Sequence, residues 1–171
     1  SSEYGVNSAA PKEGDRLVPN SHYAVSKVAV AYLTKYYGEL KKLPVLNLRF
    51  YSIYGPYEEP DRLIPRLIEE ALVGKLPPMV DPEISRDFVY IDDAVEAAIL
   101  AANIGVKKAP GFSINIASGK KTTMREIVAA TRELLPIKDE PAWAKMPNRS
   151  WDLKEWFGDP SLAKELLGWQ A

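Results

Sequence analysis

The chain has 171 residues, 46% hydrophobic and 26% charged, with Lys+Arg 22 against Asp+Glu 23, enough for one sizeable core or one and a half small ones. A formal net charge of -1 supplies no basic field for a nucleic-acid backbone. With Cys 0 and the single histidine His22, disulfides, iron–sulfur clusters and Cys/His zinc sites are excluded, and no apolar run reaches membrane-spanning length.

The composition therefore predicts no metal, no nucleic acid and no membrane, and a cytoplasmic protein. The chain opens Ser1-Ser2-Glu3-Tyr4-Gly5 with no initiator Met, as though it starts inside an element, so a fragment or a processed chain is expected.

Residues 1–4 read as the end of a strand. Pro19, Asn20 and Ser21 can end a loop and cap a helix, and apolar residues then recur at helical spacing from Tyr23 to Lys42. Pro44 to Phe50 is β-rich and mostly apolar, as suits a strand buried on both faces of a parallel sheet. A Gly/Pro/Tyr-rich exit to Pro60 precedes a helix from about Asp61 to Val73 and a short strand at Asp87 to Tyr90. Asp92 or Asp93 is expected to cap a helix running to about Asn103. Phe112 to Ile116 reads as a strand, and Thr123-Met124-Arg125-Glu126 as a capping box opening a helix to Leu135. Pro136 to Phe157 has no clear period. Asp159-Pro160 opens a last helix to Leu167. Strands alternating with helices predict an α/β fold with a mainly parallel sheet.

Ligands in open α/β sheets bind outside the carboxyl ends of the strands. Tyr23 and Lys27, one helical turn apart, are expected near such an edge together with the hydroxyls of Ser1 and Ser2. An ammonium and a helix N-terminus both favour a phenolate. Lowering a phenol from about 10 to about 7 needs roughly 4 kcal/mol of differential stabilisation, and such a group can exchange a proton with a substrate hydroxyl. The Tyr-x-x-x-Lys spacing alone arises by chance in a chain with nine tyrosines, and Tyr37/Lys41 repeats it. That second pair lies about 21 Å further along the helix, at the end away from the expected site, and reads as packing and surface.

The accompanying motifs add specificity. Ser-Ser-x-Tyr-Gly, then Arg49-Phe50-Tyr51-Ser52-Ile53-Tyr54-Gly55-Pro56, then Ser85-Arg86-Asp87-Phe88-Val89-Tyr90-Ile91-Asp92-Asp93, Asn115-Ile116-Ala117-Ser118-Gly119 and Leu166-Leu167-Gly168-Trp169 occur in that order. In this the chain resembles the extended short-chain dehydrogenase/reductase superfamily, in its NAD-dependent sugar-nucleotide epimerase/dehydratase branch, over essentially its whole length.

The resemblance implies catalytic roles for Ser1 or Ser2, Tyr23 and Lys27. Tyr23 is the implied acid/base, Lys27 tunes it and binds the nicotinamide ribose, and a serine orients the sugar oxygen. Ser1 is favoured slightly over Ser2 by its distance from Tyr4; a serine there can also simply satisfy the backbone. Tyr51 matches an aromatic beside the nicotinamide, and Ser52 stands where the family commonly has a substrate-binding asparagine. Arg86 and Arg149 match arginines that grip the diphosphate, where a planar guanidinium suits bidentate contact. Pairing with Asp87 or Glu83 is the ordinary alternative for Arg86. Glu3 stands one position off the glutamate of the branch's dehydratases, and on a strand a slip of one residue turns a side chain to the other face. His22 reads as a cap-region side chain.

The resemblance further implies a partial Rossmann-like parallel sheet with helices plus a small substrate-binding α/β lobe. Residues 1–60 would form the C-terminal part of the catalytic core, and 61–171 mainly the sugar-nucleotide lobe, with strands returning to the core sheet. No Gly-rich pyrophosphate turn precedes the cluster, so NAD or NADP would be bound largely by an N-terminal half that is not in this chain. The expected function is an NAD(P)-dependent nucleotide-sugar epimerase or 4-keto-sugar reductase, with the isolated chain inactive. A 4,6-dehydratase and a non-catalytic nucleotide-sugar-binding lobe or partner subunit are the alternatives. The family's homodimer helix corresponds to the one beginning near Tyr23, where Val30, Leu33, Tyr36 and Tyr37 suit either a dimer or an intrachain core.

Overall fold

The structure is a computed structural model and describes residues 2–7, 9–145 and 153–171. Ser2–Tyr4 forms a 3-10 turn, not the expected strand end. Gly5 follows at φ +54 in a parallel bridge with Val18, where a Cβ would come 1.7 Å from the Val18 carbonyl oxygen. A side chain there is excluded both by the backbone conformation and by the close approach.

Helix α1 spans His22–Lys35, and the Ser21 hydroxyl caps it by accepting from Ala24 N at 3.1 Å. It ends seven residues before Lys42 as an α-helix and continues as a π-type turn over Tyr36–Leu40. Strand β1 is Asn47–Phe50, shorter than the apolar run that begins at Pro44. A second strand, β2 at Ser52–Tyr54, occupies what reads as a loop. Helix α2 is Leu63–Leu72; β4 (Phe88–Tyr90) is the strand expected at 87–90, and a further short strand, β3 (Ser85–Arg86), precedes it.

Helix α3, Ile91–Leu100, is capped by Tyr90 with no side-chain bond; Asp92 and Asp93 sit instead in its first turn, favourable for the macrodipole. A π-type turn at Ala101–Gly105 and a single turn α4 (Val106–Lys108) lead to β5, Ser113–Ile116. After β6 (Thr122–Thr123) comes α5, Met124–Leu134, whose Thr123/Glu126 capping box is formed in both directions. Helix α6 is Ser161–Leu167, with Asp159 Oδ1 accepting from Ser161 N at 2.8 Å.

Strands β1 and β5 pair in parallel, as do β2 and β4, while β3 and β6 are antiparallel. Two apolar clusters follow from this layout. Val89, Ala97, Ile114, Ile116, Leu167 and Trp169 join α3 and α6 to the parallel strands. Leu67, Met79, Ile84, Met124 and Val128 form the second, between α2 and α5. The chain is thus an α/β protein. Among the described residues no helix is long and apolar enough to cross a membrane, and no His/Cys/Asp/Glu group could hold a metal ion.

Helix α1 buries only Ala24 and Ala31, while Val30, Leu33, Tyr36 and Tyr37 are exposed. Those four belong to no intrachain core. Tyr37 lines an apolar groove with Val30 and Leu33, and Lys41 lies over the ring of Tyr36, so the second Tyr-x-x-x-Lys spacing has no counterpart of the first pair's contact.

Candidate functional site

A cavity of about 940 Å³ opens where the two apolar clusters meet. Ser2, Tyr23, Tyr51, Ser52, Arg86 and Trp156 are among the residues that line it. The spacing of these residues in sequence is wide, and the fold closes it by short steps. The serine turn packs on the start of α1. Tyr51 lies between β1 and β2, Ser52 begins β2, and Arg86 ends β3.

Tyr23 is 62% exposed, with Lys27 Nζ 5.2 Å above its ring centroid. The ammonium therefore sits over the ring face, a cation–π contact, as the one-turn spacing permits. His22, beside the cap, also borders the cavity. Ser52 N donates to the Asp87 carbonyl at 2.9 Å, which ties β2 to the segment carrying Arg86. Tyr51 is almost wholly buried, tilted against Trp156 at 6.4 Å between ring centroids. Burial, with Tyr4 and the Asp87 carboxylate near, pushes its phenol far above the usual range.

Among the described residues the bonds of Arg86 go to backbone carbonyls, not to Asp87 or Glu83. Its Nη1 donates to the carbonyls of Ser85 at 2.8 Å and Leu153 at 3.1 Å, and its guanidinium lies 5.4 Å from the Trp156 ring. Asp87 is turned inward, where its carboxylate accepts from Ser118 N and Oγ, Gly119 N and Gly158 N. Glu83 pairs with Arg125 at 2.7 Å. Ser1 and Arg149 lie outside the described residues.

Glu3 does not line the cavity. It is 4% exposed and its Oε1 lies 3.4 Å from Arg49 Nε. It sits in a 3-10 turn beside a buried cation, not on a strand. Among the cavity residues that escape the sequence reading are Trp156, in a stretch with no period, and Glu58, which pairs with Arg62 at 3.5 Å. The clustering of three tryptophans in residues 136–157 is the only signal that points to the first.

A phenol, a serine and an arginine thus line one cavity near the carboxyl ends of parallel strands, an arrangement chemically able to exchange a proton with a hydroxylated, anionic ligand, while Lys27 touches the Tyr23 ring without lining the cavity. The chain belongs to the NAD dependent epimerase/dehydratase family, whose profile matches residues 1–117. It is 32% identical over 174 residues to the UDP-glucose 4-epimerase of Mycolicibacterium smegmatis, covering 99% of this chain and 54% of that protein. It is 32% identical over 161 residues to a dTDP-glucose 4,6-dehydratase of Xanthomonas campestris, covering 89% and 45%. The crystal structure of a UDP-glucuronic acid 4-epimerase from Bacillus cereus with UDP-glucuronic acid and NAD superposes with a TM-score of 0.84 at 28% identity, over 99% of this chain and 54% of that one. The chain spans about half the length of the relatives it matches.

Proposed function

We propose that the chain forms the catalytic edge and substrate lobe of an NAD(P)-dependent nucleotide-sugar epimerase or 4-keto-sugar reductase, with residues 1–60 completing the core and 61–171 contributing mainly the lobe. The observation that carries this reading is the single cavity shared by Ser2, Tyr23, Tyr51, Ser52 and Arg86. In it Tyr23 Oη gives or takes the proton of a sugar hydroxyl, a serine hydroxyl orients the sugar oxygen, and Arg86 meets the diphosphate.

The residues present fit the nicotinamide end of the cofactor. The exposed Tyr23 and Lys27 offer a phenol and an ammonium to a ribose diol, and the buried Tyr51 gives the cavity an aromatic wall. When bound, NAD(P) supplies reversible hydride transfer at the sugar carbon. The sequence has no Gly-rich pyrophosphate turn before the cluster, so this chain contributes to the cofactor site without forming it alone. Glu3, committed to Arg49 and away from the cavity, favours epimerase or reductase chemistry over dehydration.

The protein as its gene encodes it, incubated with UDP-glucose or UDP-glucuronate and NAD, is expected to yield the 4-epimer by proton NMR. No conversion of either sugar, with 4-keto-sugars also left unreduced in the presence of NAD(P)H, would overturn the proposal.

A further inference from the structure

Under the serine turn lies a buried polar network that the proposed chemistry does not use. Arg49 on β1 and Asn115 on β5 are register partners in a parallel pair, so their side chains leave one face of the sheet at the same level. Arg49 Nη1 donates to Tyr4 Oη at 2.7 Å and to the Glu13 carbonyl at 3.3 Å. Tyr4 Oη in turn donates to Asn115 Oδ1 at 2.8 Å. Asn115 Nδ2 donates to the carbonyls of Pro11 and Asp159. The guanidinium also covers the Tyr4 ring, 4.8 Å from its centroid, and holds Glu3 by charge. Tyr4 and Asn115 are 0% exposed and Arg49 3%.

Stability does not require this arrangement. A buried ion pair is often no better than well-packed apolar residues of the same volume, because desolvation consumes its Coulomb energy. What a rigid planar fork adds is orientation. Here one guanidinium holds two consecutive residues of a three-residue turn from below, leaving Ser2, the third, on the cavity.

We infer that Arg49, with Asn115 behind Tyr4, is a positioning residue that sets the serine turn against Tyr23 by holding Glu3 and Tyr4. This rests on the proposed reading of the site. Small displacements of a reacting group are costly: a shift of about 1 Å can reduce turnover by roughly a hundredfold.

The test is a mutant cycle in the protein as its gene encodes it, with the UDP-hexose it turns over and NAD. Arg49→Lys keeps the charge but not the fork; Tyr4→Phe keeps the ring but not the link to Asn115. Each is expected to lower kcat roughly ten- to hundredfold with KM for the UDP-hexose within about threefold. In a background where Ser1 and Ser2 are both alanine, neither substitution should lower the remaining kcat further, because groups acting as a unit are not additive. Unchanged kcat in folded Tyr4→Phe, or an equal loss in the serine-free background, overturns the inference. Should Arg49→Lys not fold, Tyr4→Phe decides alone. Normal turnover by Tyr23→Phe would instead bring down the underlying reading of the site, a result separable from both.

Discussion

Asp87 and Gly158, 71 positions apart, are joined by a hydrogen bond from the Gly158 backbone N–H to Asp87 Oδ2 at 3.2 Å. The same carboxylate takes Ser118 N at 2.7 Å and Gly119 N at 3.0 Å, so one fully buried acid ties the loop after β5 to the segment carrying Trp156. Burial pushes the Asp87 carboxyl above its ordinary range, against the opposing pull of the Ser118 hydroxyl and the three N–H groups. An acid raised in the folded state contributes stability below its unfolded value of about 3.9, and loses it as pH rises through the folded value. Relative to Asp87→Asn, which cannot titrate, the protein's unfolding free energy should therefore fall as pH rises from below about 3.9 across the carboxylate range. Urea denaturation at a series of pH values measures this; a difference that rises with pH contradicts it.

Tyr51 presents the opposite case, a buried hydroxyl without a protein partner among the described residues. Its ring is pressed against Gly158, where a Cβ would come within 2.5 Å of two ring carbons. An unsatisfied buried polar group costs about 1–3 kcal/mol, so Tyr51→Phe should leave the melting temperature unchanged or raise it. A loss of more than about 1 kcal/mol by calorimetry would show that the hydroxyl is bonded after all. Gly158→Ala, which forces the ring to move, should be destabilising.

A helix cap adjoins the cavity. Thr123 Oγ1 accepts from Glu126 N at 3.2 Å while Glu126 Oε2 accepts from Thr123 N at 2.7 Å, and the next residue, Met124, lines the cavity. Thr123→Ala removes one half of this box and should cost about 1 kcal/mol. A denaturation midpoint unchanged from that of the parent protein would contradict it.

The legible features were those encoded within a few residues. Ser21 and the Thr123/Glu126 box act over three positions, and both helices start where those signals stand. Tyr23 and Lys27 share a turn for the same reason. Strand β2 escaped because only Tyr51 separates it from β1 and its flanking glycine and prolines read as a loop. The Tyr4 contacts to Arg49 and Asn115 span 45 and 111 positions and exist only because β1 and β5 pair in that register. Nothing local announces them. Glu3 likewise lies inward, 3.4 Å from Arg49, a contact strand alternation does not anticipate.

In the proposed chemistry the Tyr23 phenol, in the cavity it shares with Ser2 and Arg86, moves the proton. Tyr23→Phe, made in the protein as its gene encodes it and assayed with UDP-hexose and NAD, measures this most directly. The kcat should fall by at least about a hundredfold, with the Kd for UDP-hexose by calorimetry changed less than about threefold. Turnover within a few-fold of the parent protein would contradict it.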